Sequence, residues 1–395
     1  MKNKNKYTKF RHRFLFPIAK FIIFFFAKSY HFKYKKFKIK KNEQYFILSN
    51  HQTLFDPVFL LLSFNKPLYI VAGDSLFNKS LGSKLIRYIS APIKKSKSLS
   101  DVSCIRNCLK VSKEGGSILI FPEGNRAWAE FQFYIDPSIV RLARKMNMPI
   151  LLYLFKGGFG INPCWGKKRR KGKFTGEVSQ VISLEEMNNM TDEELYIRIC
   201  DGLKVFDSSS KELYKSEERA EYLEKQFFVC PKCQSISTLV SDKEHIRCNH
   251  CGLDVTYNED LTLSSSDPEF KFKLLVDWYN YQLTFIKNYQ VKDDEIIFTD
   301  RNVTLINKTT EDVEILEENV DMYLNNKHFM IGNTEIKIEN IISATVFSGK
   351  NLLINTDDKN YTVKGPSRYN ALKYILFLNI LSTRIKEEYF SLDLK

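Results

Sequence analysis

Three short stretches carry residue types that can do chemistry. The first is Asn50-His51-Gln52-Thr53-Leu54-Phe55-Asp56-Pro57. An imidazole can take a proton from a hydroxyl near neutral pH. A carboxylate five residues on can turn back to bond the other ring nitrogen, fixing the tautomer and stabilising the imidazolium as it forms. The plainer reading of Asp56 is a helix N-cap, with Pro57 opening the helix. The second stretch is Phe121-Pro122-Glu123-Gly124-Asn125-Arg126. Gly124 lets backbone approach a ligand closely, and the Arg126 fork matches phosphate oxygens. The third is Cys230-Pro231-Lys232-Cys233, then fourteen residues, then Cys248-Asn249-His250-Cys251-Gly252. Cys230, Cys233, Cys248 and Cys251 offer four thiolates to one tetrahedral metal, which leaves no open position for substrate. A structural role is expected, with His250 a neighbour and not a ligand.

The first two stretches together resemble the glycerolipid acyltransferase superfamily, whose bacterial members acylate lysophosphatidic acid. That family carries Asn-His-x-x-x-x-Asp and, about seventy residues on, Phe-Pro-Glu-Gly-x-Arg. Here Phe121 stands seventy residues after His51. The resemblance covers roughly Phe10 to Phe206. It implies His51 as general base and Asp56 as its orienting partner. It implies that Glu123, Gly124 and Arg126 help hold an acceptor phosphate, and that Lys95 stands where the family has an Arg. Lys keeps that charge but loses the fork. Asn125-Arg126-Ala127 departs from the usual Thr-Arg-Ser. The implied reaction moves an acyl group from acyl-CoA, an acyl carrier protein thioester or an acyl phosphate to a lysophospholipid hydroxyl, 1-acyl-glycerol-3-phosphate first. The cysteine stretch looks like a zinc ribbon, so Zn2+ is the expected structural cofactor. The region after it resembles a pleckstrin-homology-like fold.

These residues need elements to hold them. Tyr45 to Leu48, Leu68 to Val71, Ile89 to Lys94, Ser117 to Phe121 and Pro149 to Phe155 read as buried strands. Pro57 to Phe64, Ser100 to Glu114 and Ile139 to Asn147 read as helices between them. Alternating strands and helices imply an α/β layered domain with a mostly parallel sheet. Both motifs follow strands, where loops converge into sites. Lys173 to Ser183 adds one or two strands, and a capping box at Thr191 opens a helix to about Phe206. Ser208 opens a charged linker with another helix ending near Gln226. Phe270 to Asn288 reads as a helix. Short strands then follow from Glu295, with turns such as Ser348-Gly349, and Ser367 caps a helix to about Phe390. The expected organisation is a docking segment over 1–41, an acyltransferase domain over 42–215 and a zinc ribbon over 227–255. A small β-barrel-like domain closed by a C-terminal helix fills 268–395.

Charge placement narrows the partners. Met1 to Lys41 holds twelve Lys, two Arg and no acid, which is +14, equal to the net charge of the whole chain. So local a positive field suits an anionic membrane surface. Phe14 to Ala27 is apolar, but as a helix it spans roughly 20 Å against a hydrocarbon core of about 30 Å. An interfacial helix with its Lys and Arg in the headgroups is expected over a span or a signal peptide. The basic run Lys167 to Lys173 reads as a solvated loop, or as a gatherer of anionic lipid. The cysteines form no secreted disulfide framework, so the cytoplasmic face of the membrane is the expected location, peripheral or monotopic. Two other classes are a non-catalytic lipid-binding scaffold and a zinc-ribbon nucleic-acid binder. The ribbon's surroundings are not especially basic, so nucleic acid is not an expected partner.

Overall fold

The computed structural model describes residues 7–73, 81–95, 102–128, 130, 132, 134–308, 313–347 and 351–382. Met1 to Lys6, the Ser100 helix start, the Ser348-Gly349 turn and the chain end near Phe390 lie outside the described residues. Two compact units form, one from 1–161 with 171–212, the other from 162–170 with 213–395.

The first unit begins with α1 (Phe10–Ser29) and β1 (Phe32–Tyr34). It continues through β2 (Phe46–Ser49), α2 (Asp56–Phe59), β3 (Leu68–Gly73), α3 (Leu81–Ser90), β4 (Ile93–Lys95), α4 (Val102–Lys113) and β5 (Ser117–Ile120). Then come α5 (Ser138–Met146), β6 (Ile150–Lys156), α6 (Gly158–Ile161), β7 (Phe174–Ile182), α7 (Leu184–Asn189) and α8 (Asp192–Leu203). The sheet order is β1-β7-β6-β2-β5-β3-β4, and only the β6/β7 pair is antiparallel. The sheet is therefore mostly parallel, as the alternation implied.

Continuous apolar runs explain the central strands, which are buried on both faces. Along β2 and β6, Phe46, Leu48, Ile150 and Leu152 enter one core with Cys108 and Val111 of α4, Ala143 of α5 and Ile199 of α8. The alternate residues Tyr153 and Phe155 point into an aromatic layer with Phe32, Phe59, Phe64 and Phe174. The period of two along a strand produces both layers.

Several local expectations shift. Ile89 and Ser90 end α3, and the strand begins only at Ile93, because Ala91 turns the chain with φ of 42°. The helix expected over Pro57 to Phe64 is one turn of α2 followed by a 3-10 turn, Leu60–Ser63. α8 stops at Leu203 after its Thr191–Glu194 capping box. The basic helix also differs. Lys20 does not reach outward; its Nζ donates to the Phe64 carbonyl at 2.5 Å, and burial lowers its pKa. His12, Phe16 and Ala27 are buried, while Phe10, Phe14, Ile18, Phe21, Ile22 and Phe25 are exposed. Their four-residue spacing places these apolar side chains along one side. No helix among the described residues is long and apolar enough to cross a membrane.

The second unit has a four-stranded antiparallel sheet, ordered β11-β10-β9-β8, from β8 (Leu239–Asp242), β9 (His245–Cys248), β10 (Asp254–Tyr257) and β11 (Leu263–Ser264). Helix α9 (Leu275–Lys287) follows, shorter than the run from Phe270. Next are β12 (Phe298–Lys308), β13 (Val313–Leu324), β14 (His328–Ile331), β15 (Thr334–Lys337), β16 (Ile341–Phe347), β17 (Asn351–Thr356), β18 (Asn360–Lys364) and α10 (Ala371–Leu381). These seven strands form one antiparallel sheet, β15-β14-β13-β12-β18-β17-β16. Helix α10 is buried from Ala371 to Asn379 and is capped by the Asn370 side chain, not by Ser367.

No α-helix forms across 208–226. Amides there serve distant carbonyls: Tyr214 donates to Glu259 and Ala220 to Lys243. The carboxylates of Glu221 and Glu224 both hold Arg368. Tertiary partners replace the helical ladder. The basic run is likewise drawn in, since Arg170 is buried against Trp165 and Tyr257 while Lys167 and Lys168 pair with Glu218.

Candidate active site

Because β2, β3, β4, β5 and β6 are parallel, their carboxyl ends share one edge of the sheet. The His51 loop leaves β2 at the centre of that edge. Asn50 pins it first: Nδ2 donates to the Phe155 carbonyl at 2.9 Å, and Oδ1 accepts from the Phe155 amide at 2.8 Å. This amide side chain extends the β2–β6 ladder by one step and explains why Asn precedes the histidine.

His51 Nδ1 lies 3.1 Å from Asp56 Oδ2. The same oxygen accepts from the amides of Gln52 at 2.6 Å and Thr53 at 2.8 Å, while Oδ1 accepts from Thr53 Oγ1 at 2.5 Å. Asp56 is fully buried, and the His51 side chain is 17% exposed. Asp56 therefore does not cap α2; the N-cap residue is Phe55, and the carboxylate faces back into its own loop. Nδ1 is the nitrogen held, so Asp56 favours the tautomer that leaves Nε2 able to accept a proton.

The second motif is the wall of this loop. Glu123 Oε1 accepts from the His51 amide at 3.1 Å, and the Ala127 amide donates to the His51 carbonyl at 2.9 Å. Phe121 lies against the imidazole, ring centroids 4.5 Å apart. Gly124 has φ of +68° with open space where a Cβ would point, so conformation and not crowding calls for glycine there. Arg126 is half-buried in the same loop. Lys95 is exposed at the end of β4 on the sheet edge, separated from β5 by β3. Two strand spacings, about 10 Å, lie between Lys95 and the strand that leads to Arg126. The structure thus brings His51, Asp56 and Glu123 into contact, sets Gly124 and Arg126 beside them, and leaves Lys95 apart.

A cleft here is lined by His51, Gln52, Glu123, Glu130 and Gln132, among others. Glu130 is buried, which pushes its carboxyl up to about 8, with nearby Asp207 adding to the rise. Glu130, Gln52 and Asp207 carry no motif signal and were not legible as site residues. The helix α1 also reaches this place. Phe26 and Tyr30 pack on Phe55, at 4.8 and 5.4 Å, inside the His51–Asp56 loop.

Residues 31–153 match the family model described as Acyltransferase. That span contains both motif loops and ends before the cysteine cluster. Two plant proteins are similar. The 1-acyl-sn-glycerol-3-phosphate acyltransferase LPAT1, chloroplastic, of Arabidopsis thaliana is 31% identical over 81 residues, 20% of this chain and 22% of that protein. The 1-acyl-sn-glycerol-3-phosphate acyltransferase BAT2, chloroplastic, of Brassica napus is 30% identical over 117 residues, 29% and 34% of the respective lengths. The chain thus spans about a fifth to a third of these relatives. A similar solved structure is the 1-acyl-sn-glycerophosphate acyltransferase PlsC from Thermotoga maritima. Its TM-score is 0.42 at 17% identity, over 49% of this chain and 78% of that one.

In the second unit the four cysteines of the two Cys-x-x-Cys pairs converge, their sulfurs all within 4.8 Å of one another. Cys230 and Cys251 sulfurs are 3.6 Å apart, and Cys233 and Cys248 sulfurs 3.7 Å. Hydroxyls of Ser235 and Thr238 meet the sulfurs of Cys233 and Cys248.

Proposed function

We propose that this chain is a membrane-surface O-acyltransferase that moves a fatty acyl group from a thioester or acyl-phosphate donor to the free hydroxyl of a lysophospholipid, 1-acyl-glycerol-3-phosphate first. The observation that carries this is the His51–Asp56 contact, held at the carboxyl edge of the sheet inside the matched domain. His51 Nε2 takes the proton as the acceptor oxygen attacks the acyl carbon. The new C–O bond forms, the C–S or C–O bond to the leaving group breaks, and the proton on Nε2 passes to the departing thiolate; with an acyl-phosphate donor the phosphate leaves as an anion and the imidazolium gives its proton to water. Asp56 stabilises the imidazolium between these steps. No acyl-enzyme is required.

Gly124 and Arg126 hold the acceptor phosphate, with Lys95 contributing charge from further out. Glu123 serves them by fixing the His51 backbone. The substrates named for the plant relatives support the choice of acceptor.

The exposed side of α1 enters the membrane interface, assisted by the basic residues that follow it, at the cytoplasmic face. Its contact with Phe55 brings that surface to the loop where both lipids are needed. The four thiols are read as a structural zinc site. Zinc–sulfur bonds of about 2.3 Å at tetrahedral corners place sulfurs about 3.8 Å apart, close to the spacings seen. Those residues would hold Zn2+ as a fold-stabilising ion with no part in the acyl transfer.

The test is a mass-spectrometric screen of purified protein against lysophospholipids with acyl-CoA, acyl carrier protein and acyl-phosphate donors. Phosphatidic acid from 1-acyl-glycerol-3-phosphate is the expected product. A folded protein that acylates no acceptor with any donor overturns the reading.

A further inference from the structure

The loop carrying His51 is held at several points, and one reaches a residue far outside either motif. Gln52 is buried, and its Oε1 accepts from the Gly158 amide at 2.9 Å. Its Nε2 donates to Asp207 Oδ1 at 3.3 Å. Asp207 Oδ1 also accepts from the Gly157 amide at 2.7 Å, and Oδ2 from the Gly160 amide at 3.2 Å. The backbone amide of Gln52 donates to Asp56 Oδ2, the oxygen that meets His51 Nδ1. A path of hydrogen bonds therefore runs from Asp207 through one residue to the pair.

Next along the chain, the Ser208 amide donates to the Glu130 carboxylate, four residues beyond the second motif. The Asp207–Ser208 corner thus touches Gln52 inside the first motif and Glu130 just after the second. Asp207 is buried and forms no ion pair among the described residues. Burial raises its pKa against the pull of the glycine amides. A simpler acceptor would satisfy amides of a glycine turn, so a buried carboxyl group there that also reaches Gln52 calls for a further reason.

We propose that Asp207 is a positioning residue for the His51–Asp56 pair, acting through Gln52. It sets where the loop after β2 sits and does not touch substrate. Its kinetic consequence rests on the acyl-transfer reading, while its effect on the imidazole does not.

The test compares full-length wild type with Asp207→Asn and Gln52→Met. Asn keeps the shape of Asp, and Met keeps the length and burial of Gln, so one folding failure leaves the other variant. Steady-state kinetics should show kcat lowered roughly ten- to a hundredfold, the usual cost of a misplaced reacting group, with acceptor KM changed far less. Imidazole nitrogen NMR, with His51 assigned from His51→Ala, should show one tautomer protonated at Nδ1 in wild type and a mixture in both variants. Wild-type kcat or an unchanged tautomer in the folded variants of an active enzyme overturns the proposal. A shifted tautomer in a chain that transfers no acyl group upholds the positioning and overturns the acyl-transfer reading alone.

Discussion

The His51 loop and the four-cysteine cluster are both short motifs, yet they are assembled over different lengths of chain. The cysteines close within 22 residues, from Cys230 to Cys251, and their nearest helpers, Ser235 and Thr238, lie inside that span. His51 and Asp56 are close in sequence, but their loop is held by Glu123, Phe155 and, through Gln52, Asp207. A metal-type cluster can be specified locally because thiols converge on one point. A base must be aimed at a substrate, so it borrows rigidity from a whole sheet.

That contrast can be broken by substitution. His51→Ala should lower turnover by roughly two to four orders of magnitude, the usual worth of a positioned base, while thermal stability and metal content stay unchanged. Asp56→Asn should be comparably damaging in the same kinetic assay. It loses the charge on imidazolium and offers the Gln52 and Thr53 amides a poorer acceptor. Near-normal turnover in folded His51→Ala would remove the base assignment.

Cys230→Ser should behave in the opposite way. Zinc measured by elemental analysis should fall from about one equivalent to none, and the four-stranded sheet beside the cysteines should unfold, because binding and folding are coupled at such sites. Wild-type protein purified without chelator and free of zinc and iron would end that side of the comparison.

Arg126→Lys sharpens the view of the site. Acceptor KM should rise roughly tenfold with kcat largely kept, since charge survives and the bidentate fork does not. A fall in kcat alone would place Arg126 on the reacting atoms.

At the membrane, truncating the first helix is uninformative, because His12, Phe16 and Ala27 are buried in the domain. Phe14→Ser with Phe21→Ser spares that packing. Sedimentation with anionic vesicles should weaken by roughly tenfold or more from the lost apolar area, and high salt should weaken it only in part. Unchanged sedimentation would assign docking elsewhere.

The smallest effect is on stability. Glu130 is held at about 8 in the folded chain, above an ordinary carboxyl of 4.5. The folded state then keeps a proton that the unfolded state releases, so stability falls as pH rises from about 4.5 to about 8. Glu130→Gln should remove that fall and raise Tm at pH 8.5 by a few degrees, on the order of a few kcal/mol. Equal melting shifts at pH 5 and pH 8.5 would show that the buried acid costs nothing.

The sequence by itself determined the local parts. Apolar runs between polar helices were enough for a mostly parallel sheet, because strands covered on both faces have no polar side. Asn50, His51 and Asp56, the Glu123–Arg126 turn and the paired cysteines were legible because each is a fixed spacing of chemically distinctive residues. Tertiary structure alone decided the rest. Asp207 precedes a serine run that reads as a linker, and its partner Gln52 is 155 residues away. Glu123 meets the His51 amide across 72 residues. Lys20 and Arg170 read as solvent-facing charges, yet one donates to a backbone carbonyl and the other lies between aromatic rings. The segment 208–226 gave up its helix to carbonyls and an arginine far along the chain. In each case the deciding energy is a hydrogen bond or a burial made between distant segments. Such partners carry no periodicity along the chain, and so they appear only when the fold has brought them together.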